Sequence, residues 1–162
     1  MKAVGGYEGG TGQIETFRGG DGELFVKLYN DTGAAITNGY IYKIDWTDDA
    51  DSKGHYPTPG TPATDTSGLT EIVVANNSPW GAATIADQAW GWFQKEGYCP
   101  TVIGNATAVT DEYTVKAADG LTTTAEDGAA TTTSSFGICK GGIAAPAGSS
   151  GAVVLFGFPV VV

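Results

Sequence analysis

The densest set of potential cation ligands in this chain is acidic: Asp45, Asp48, Asp49 and Asp51 crowd one segment. An EF-hand calcium loop needs oxygen ligands at alternate positions and a bidentate Glu at the twelfth. Counted from Asp49, Asp51 fits the third place and Gly54 the sixth, but Lys53 stands fifth and Gly60 twelfth. The frame fails, and the segment reads as a solvated acidic loop. Proton-transfer groups are scarce. His55 is the single histidine, lies in the same proline-containing stretch, and no serine sits in a nucleophile elbow. Carboxylate pairs exist, as in any acidic chain, but nothing in the sequence holds two of them about 5–10 Å apart, as glycoside hydrolysis requires. The glycines of GGYEGGTG, residues 5–12, lack the preceding strand and the lysine of a phosphate-binding loop. Cys99 and Cys139 form no C-x-x-C pair and, with one distant His, supply too few ligands for zinc. They read as buried free thiols, with a disulfide between neighbouring strands as the alternative.

The aromatic residues are the remaining chemical resource. Trp80, Trp90, Trp92 and Phe93 are candidates for a sugar-stacking platform. The competing reading starts from alternation: Trp90 and Trp92 share one face of a strand, and rings of that size suit a core or a subunit contact. Asn30-Asp31-Thr32 and Asn105-Ala106-Thr107 match the glycosylation pattern. With no apolar run after Lys2 to make a secretory signal, both are expected to be ordinary turn residues.

Composition narrows the function classes. The chain has 162 residues, 41% hydrophobic and only 16% charged, against a usual charged fraction of ~25%. That is enough for one folded domain with a real core. Its 25 glycines suit turns and strands better than helices. With 18 acidic against 8 basic side chains the net charge is −10, and no Lys/Arg cluster offers a phosphate backbone or an anionic membrane a foothold. The most apolar stretch, AVVLFGFPVVV at residues 152–162, is too short and too broken by Gly157 and Pro159 to span a bilayer. The expectation is a soluble product of a cytoplasm, without cofactor or metal, binding neither nucleic acid nor membrane.

The elements that would position these residues are short strands. Glu23 to Tyr29 alternates, with Leu24, Val26 and Leu28 on one side and Glu23, Phe25, Lys27 and Tyr29 on the other. Asn30-Asp31-Thr32-Gly33 and Asn38-Gly39 are turn signals. Tyr40 to Trp46 alternates again, so the two runs read as a strand pair. Further strands are expected at 69–75, at 89–95 and 98–103 about a Lys95-Glu96-Gly97 turn, and at 111–117, 134–140 and 152–156. Residues 82–89 are the one plausible helix. Residues 1–22 form a Gly-rich arm with at most one short strand, 23–157 a single β domain with an acidic Pro/Thr-rich loop at 47–68, and 158–162 a tail. The fold class is all-β: a small barrel or sandwich of short antiparallel strands with extended terminal arms.

The order of these pieces resembles the capsid decoration, or cement, proteins of tailed bacteriophages. The resemblance rests on VKLYNDTGAAITNGYIYKI, Val26 to Ile44, and on AWGWFQKEGYCPTVIGNATAV, VKAADGL, EDGAA, SSFGICKGG and SGAVVLFG between Ala89 and Gly157. The Gly-rich arm, the 47–68 loop and the tail depart from it. It implies a non-enzymatic virion protein, a dimer or trimer, bound to the major capsid protein on the head surface and tying neighbouring capsomers together. The candidate contact residues are Tyr7, Ile14 and Phe17 in the arm, Trp80, Trp90 and Trp92 in the domain, and Phe158, Pro159 and Val160 in the tail. Another tail, fibre or minor head component, or a carbohydrate-binding β module using the tryptophans, are the alternatives.

Overall fold

The computed structural model describes residues 15–45, 56–59, 72–117, 124–128 and 134–161. They form twelve strands in chain order: β1 (Thr16–Arg18), β2 (Leu24–Asn30), β3 (Ile36–Thr37), β4 (Ile41–Asp45), β5 (Tyr56–Pro59), β6 (Ile72–Ala75), β7 (Thr84–Ile85), β8 (Ala89–Ile103), β9 (Thr114–Ala117), β10 (Ala125–Asp127), β11 (Ser134–Lys140) and β12 (Ser150–Val161). All strand pairings are antiparallel. One large sheet runs β10-β9-β11-β12-β8-β6-β4-β5, with β2 added to β8 and β1 to β2, while β3 and β7 make a small separate sheet. The all-β expectation holds. The barrel does not: β10 and β5, at the two ends of the large sheet, are not paired with each other. Among the described residues no helix is long and apolar enough to cross a membrane.

β8 is the spine. Gln94 pairs with Phe25 on one edge and Val74 on the other, and Glu96 likewise pairs with Leu24 and Phe156. The sequence reading split this strand at Lys95-Glu96-Gly97, but the chain runs straight through. Pairing with β2 slips between Leu24 and Phe25, a bulge, and Gly97 takes a φ of 83°. A Cβ at Gly97 would stand 2.9 Å from the Cα of Glu23, so only glycine fits where β2 begins. The buried Gln94 side chain secures the bulge: its Nε2 donates to the carbonyls of Glu96 (3.0 Å) and Tyr98 (2.9 Å), and its Oε1 accepts from Asn76 Nδ2 at 2.8 Å.

Two apolar clusters flank β4 and β6. Ile41 and Val74, opposite each other, belong to one with Cys99, Val102, Phe136 and Val153; Tyr42 and Val73, the next pair, belong to the other with Val26, Leu28, Ile44 and Phe93. With both faces covered, β6 is buried at every position, which is why IVVA reads as an apolar run and not an alternation.

Four further expectations are corrected. β2 and β4 are not partners: β2 pairs with β1 and β8, β4 with β5 and β6. The Asn38-Gly39 turn instead leads from β3, whose partner is β7, into β4. No helix occupies 82–89; Thr84–Ile85 is β7, and the one described helical turn is the 3-10 segment Ser78–Trp80. The 47–68 stretch is not all loop, because Tyr56–Pro59 pairs with β4 as the outermost strand, where prolines are tolerated. β12 also continues past Gly157 to Val161, its last residues opposite Ser134 and Ser135, so the backbone of 158–161 is sheet.

Candidate binding surface

Alternation in β2 and β8 sets the site. Val26 and Phe93 face each other in the core, so their neighbours Lys27 and Trp92, and then Tyr29 and Trp90, share the opposite, outer face. Phe93 therefore leaves the proposed platform; it is fully buried on the inner side. Gly91, between the two tryptophans, points inward. A Cβ there would collide with Ile85 at 2.4 Å, so the missing side chain admits β7 beneath the aromatic face.

Trp80 joins the surface from the 3-10 turn. The side chain of Asn38 ties that turn down, donating to Ser78 Oγ (2.8 Å) and the Ala82 carbonyl (2.9 Å) and accepting from the Asn77 backbone N–H (3.0 Å). Asn77 in turn accepts from the Trp92 N–H at 3.3 Å. Trp80 and Trp92 are thereby brought into a parallel stack, centroids 4.6 Å apart and planes 10° from parallel. Phe17 of β1 and Phe25 of β2 meet Trp80 edge-on at 5.5 and 5.2 Å, and Phe17 also meets Trp92 at 6.2 Å. This is a small apolar cluster on the outside of the sheet, with Phe17 buried under Trp80.

Trp90 stands apart. The residue is 48% exposed, and its ring meets Tyr29 at 5.4 Å. The Lys27 ammonium lies between the two tryptophan positions, 6.0 Å from the Trp90 ring and 5.8 Å from Trp92, and is held by Glu15 at 2.8 Å. Beyond Trp90 is a polar corner. The Tyr29 hydroxyl donates to Gln88 Oε1 at 3.0 Å, Gln88 Nε2 donates to Asp31, and the Gly33 N–H donates to Asp87 at 3.0 Å.

The structure thus assembles four of the candidate contact residues, Phe17, Trp80, Trp90 and Trp92, on one face. Tyr7 and Ile14 lie outside the described residues. Phe158, Pro159 and Val160 are placed only as backbone of β12. Sequence reasoning had put Phe25, Lys27 and Tyr29 on the side of β2 opposite Leu24, Val26 and Leu28, yet did not join them to the tryptophans, because the partner of β2 was misassigned. Asp31 carried no signal beyond turn propensity, and Gln88 fell within the helix expected at 82–89.

Other candidates resolve simply. Asn30 is buried, its amide donating to the carbonyls of Ala34, Ile85 and Ala86, and its Oδ1 accepting from Thr32, so it is a structural turn residue. Cys99 and Cys139 are buried free thiols. Both are opposite Val153, on either side of β12, so an intervening strand separates them by roughly 9–10 Å, beyond the reach of a disulfide at about 7 Å. Asp48, Asp49, Asp51 and His55 lie outside the described residues; among those described, no group of three His, Cys, Asp or Glu could hold a metal ion.

No protein-family model matches this chain, and neither a curated protein nor a solved structure does.

Proposed function

We propose that this chain is a non-enzymatic structural protein of a tailed-phage virion. In this reading it acts as a homo-oligomer on the head surface, binds the major capsid protein and ties neighbouring capsomers together. On the same reading residues 1–14, ahead of β1, supply contacts beyond the sheet. The observation that supports the reading is the fixing of β1: Phe17 is clamped by Phe25, Trp80 and Trp92 at the outer face. The Gly-rich segment preceding Glu15 is therefore tethered to a rigid sheet beside an aromatic cluster. From such a tether a segment could lie across a neighbouring subunit or extend its sheet by main-chain hydrogen bonds. Weak contacts of this kind become strong when symmetry repeats them.

The test is removal of residues 1–14, which spares Phe17 and β1. Co-sedimentation with shells of the cognate major capsid protein is expected to weaken about tenfold or more, while the melting temperature of the isolated protein stays within about 2 °C, the shift of under 1 kcal/mol at this size. Unchanged co-sedimentation, or loss of binding only in step with loss of stability, would reject the arm as the capsid contact.

A further inference from the structure

We propose that the exposed face of Trp90, bordered by Tyr29, Lys27, Gln88 and Asp31, is a subsite for a neutral hexopyranose unit of an oligosaccharide. The proposal is independent of the capsid reading and uses the opposite end of the aromatic face from the Phe17 cluster. Trp80 and Trp92 cover each other's rings by stacking, whereas Trp90 offers a ring to solvent. That ring is held before any ligand arrives, by its T-shaped contact with Tyr29 and by Lys27, itself fixed by Glu15. A rigid aromatic loses little conformational freedom on binding.

Beside it, Gln88 has a φ of 57°, rare for a side-chain-bearing residue. The strain of a left-handed residue persists only where surrounding bonds over-determine it, and such positions gather at binding sites. Here the bonds are those of the Gln88 amide to Tyr29 and to Asp31. They fix an amide and a carboxylate at the rim of an indole.

The chemistry selects the ligand. A pyranose has a face of C–H groups that stacks on an indole and a girdle of hydroxyls that donate to carboxylates and amides, the dual character that Trp and Tyr sites suit. An anionic ligand would meet Asp31, Asp87 and a chain of net charge −10. A cationic peptide would meet the Lys27 ammonium already beside the ring. The large hydrophobic side chains exposed among the described residues are Trp80, Trp90, Tyr98 and Tyr113, aromatics without an aliphatic among them. Rings of this kind also suit protein partners, so the choice of a neutral sugar rests on the amide and carboxylate at the Trp90 rim.

The experiment is a fluorescence titration of the full chain with cellohexaose, maltohexaose and chitohexaose, with ¹⁵N spectra of the indole N–H signals read in parallel. At least one hexasaccharide is expected to shift the Trp90 signal, assigned with Trp90→Phe, and Trp90→Ala is expected to bind about tenfold more weakly or worse. Gln88→Ala should also weaken binding while co-sedimentation with capsid shells is retained. Should Trp90→Ala not fold, protection of the wild-type indoles from acrylamide quenching by the same sugars serves instead. No response to any of the three sugars, a response that survives Trp90→Ala, or a response only to an oligo-lysine peptide would overturn the proposal. Residues 1–14 are not involved, so their deletion should leave sugar binding intact.

Discussion

Replacing Phe17 by Ala tests whether the outer aromatic cluster is a true satellite core. Its side chain is buried at 5% exposure, with ring centroids of Trp80, Phe25 and Trp92 at 5.5, 6.1 and 6.2 Å. Truncating a fully enclosed Phe costs ~3–5 kcal/mol, and each edge-on aromatic contact contributes ~0.5–1.5 kcal/mol within such a total. Two features reduce the figure. Trp80 is itself 37% exposed and can settle toward the space left behind. β1 is only three residues long and pairs with β2 at three positions, so it can detach by itself, and the loss cannot exceed its own docking free energy. The expected cost is therefore about 2–3 kcal/mol, or a fall in melting temperature of roughly 4–12 °C for a domain of this size. Urea unfolding followed by far-ultraviolet circular dichroism measures it, and the near-ultraviolet spectrum should lose intensity as Trp80 and Trp92 are freed. Phe17→Leu should recover more than half of the loss. A change below about 0.5 kcal/mol, the ordinary range for surface substitutions, with the near-ultraviolet spectrum intact would refute the clamp and with it the tether argument.

Two more perturbations probe the interior. Lys116 and Glu126 face each other across β9 and β10, Nζ to Oε1 at 2.7 Å, with side-chain exposures of 6% and 18%. Glu126→Ala should cost about 1–3 kcal/mol, because the buried ammonium loses this carboxylate, whereas Lys116→Met with Glu126→Leu should restore most of that; a double variant no better than the single one in urea melts would contradict this. Burial pushes the Cys99 thiol up to about 12 from 9.0, and likewise raises Cys139. A raised thiol pKa means the folded protein holds its proton where the unfolded chain has released it. For Cys99 that contribution to stability is complete below pH 9 and is lost as pH climbs from 9 toward 12, at up to ~1.4 kcal/mol per pH unit; Cys139 acts in the same direction. Native protein at pH 8 should be inert to a disulfide reagent and react only on unfolding, and Cys99→Ala should flatten the alkaline decline; prompt labelling of two thiols in the native state would disprove their burial.

The fold was legible where the sequence states a local rule. Strict alternation in β2 gave its two faces, and the turn at Asn30 to Gly33 formed as its side chains and glycine dictate, with Asn30 accepting from Thr32 and Gly33 at a φ of 80°. β11 was bounded correctly by the apolar run at 134–140. Misreadings arose where a local signal was overruled from a distance. Lys95-Glu96-Gly97 looks like a turn, but Gln94 closes on the bulge carbonyls and keeps β8 whole. Ala-rich 82–89 looks helical, yet Ile36 and the slot above Gly91 draw Ile85 into a strand.

The candidate surface divides in the same way. Residue type and a two-residue period were enough to say that Trp90 and Trp92 share a face, since successive side chains of any strand point to opposite sides. Which face met water depended on strand partnership, and partnership is a contest among all the strands at once. β2 lies against β8 because Val26 and Phe93 meet in the same apolar cluster; Trp80 arrives through Asn38 and Asn77, from a different part of the chain. Local periodicity made these tryptophans neighbours along a strand. Long-range pairing made them a surface.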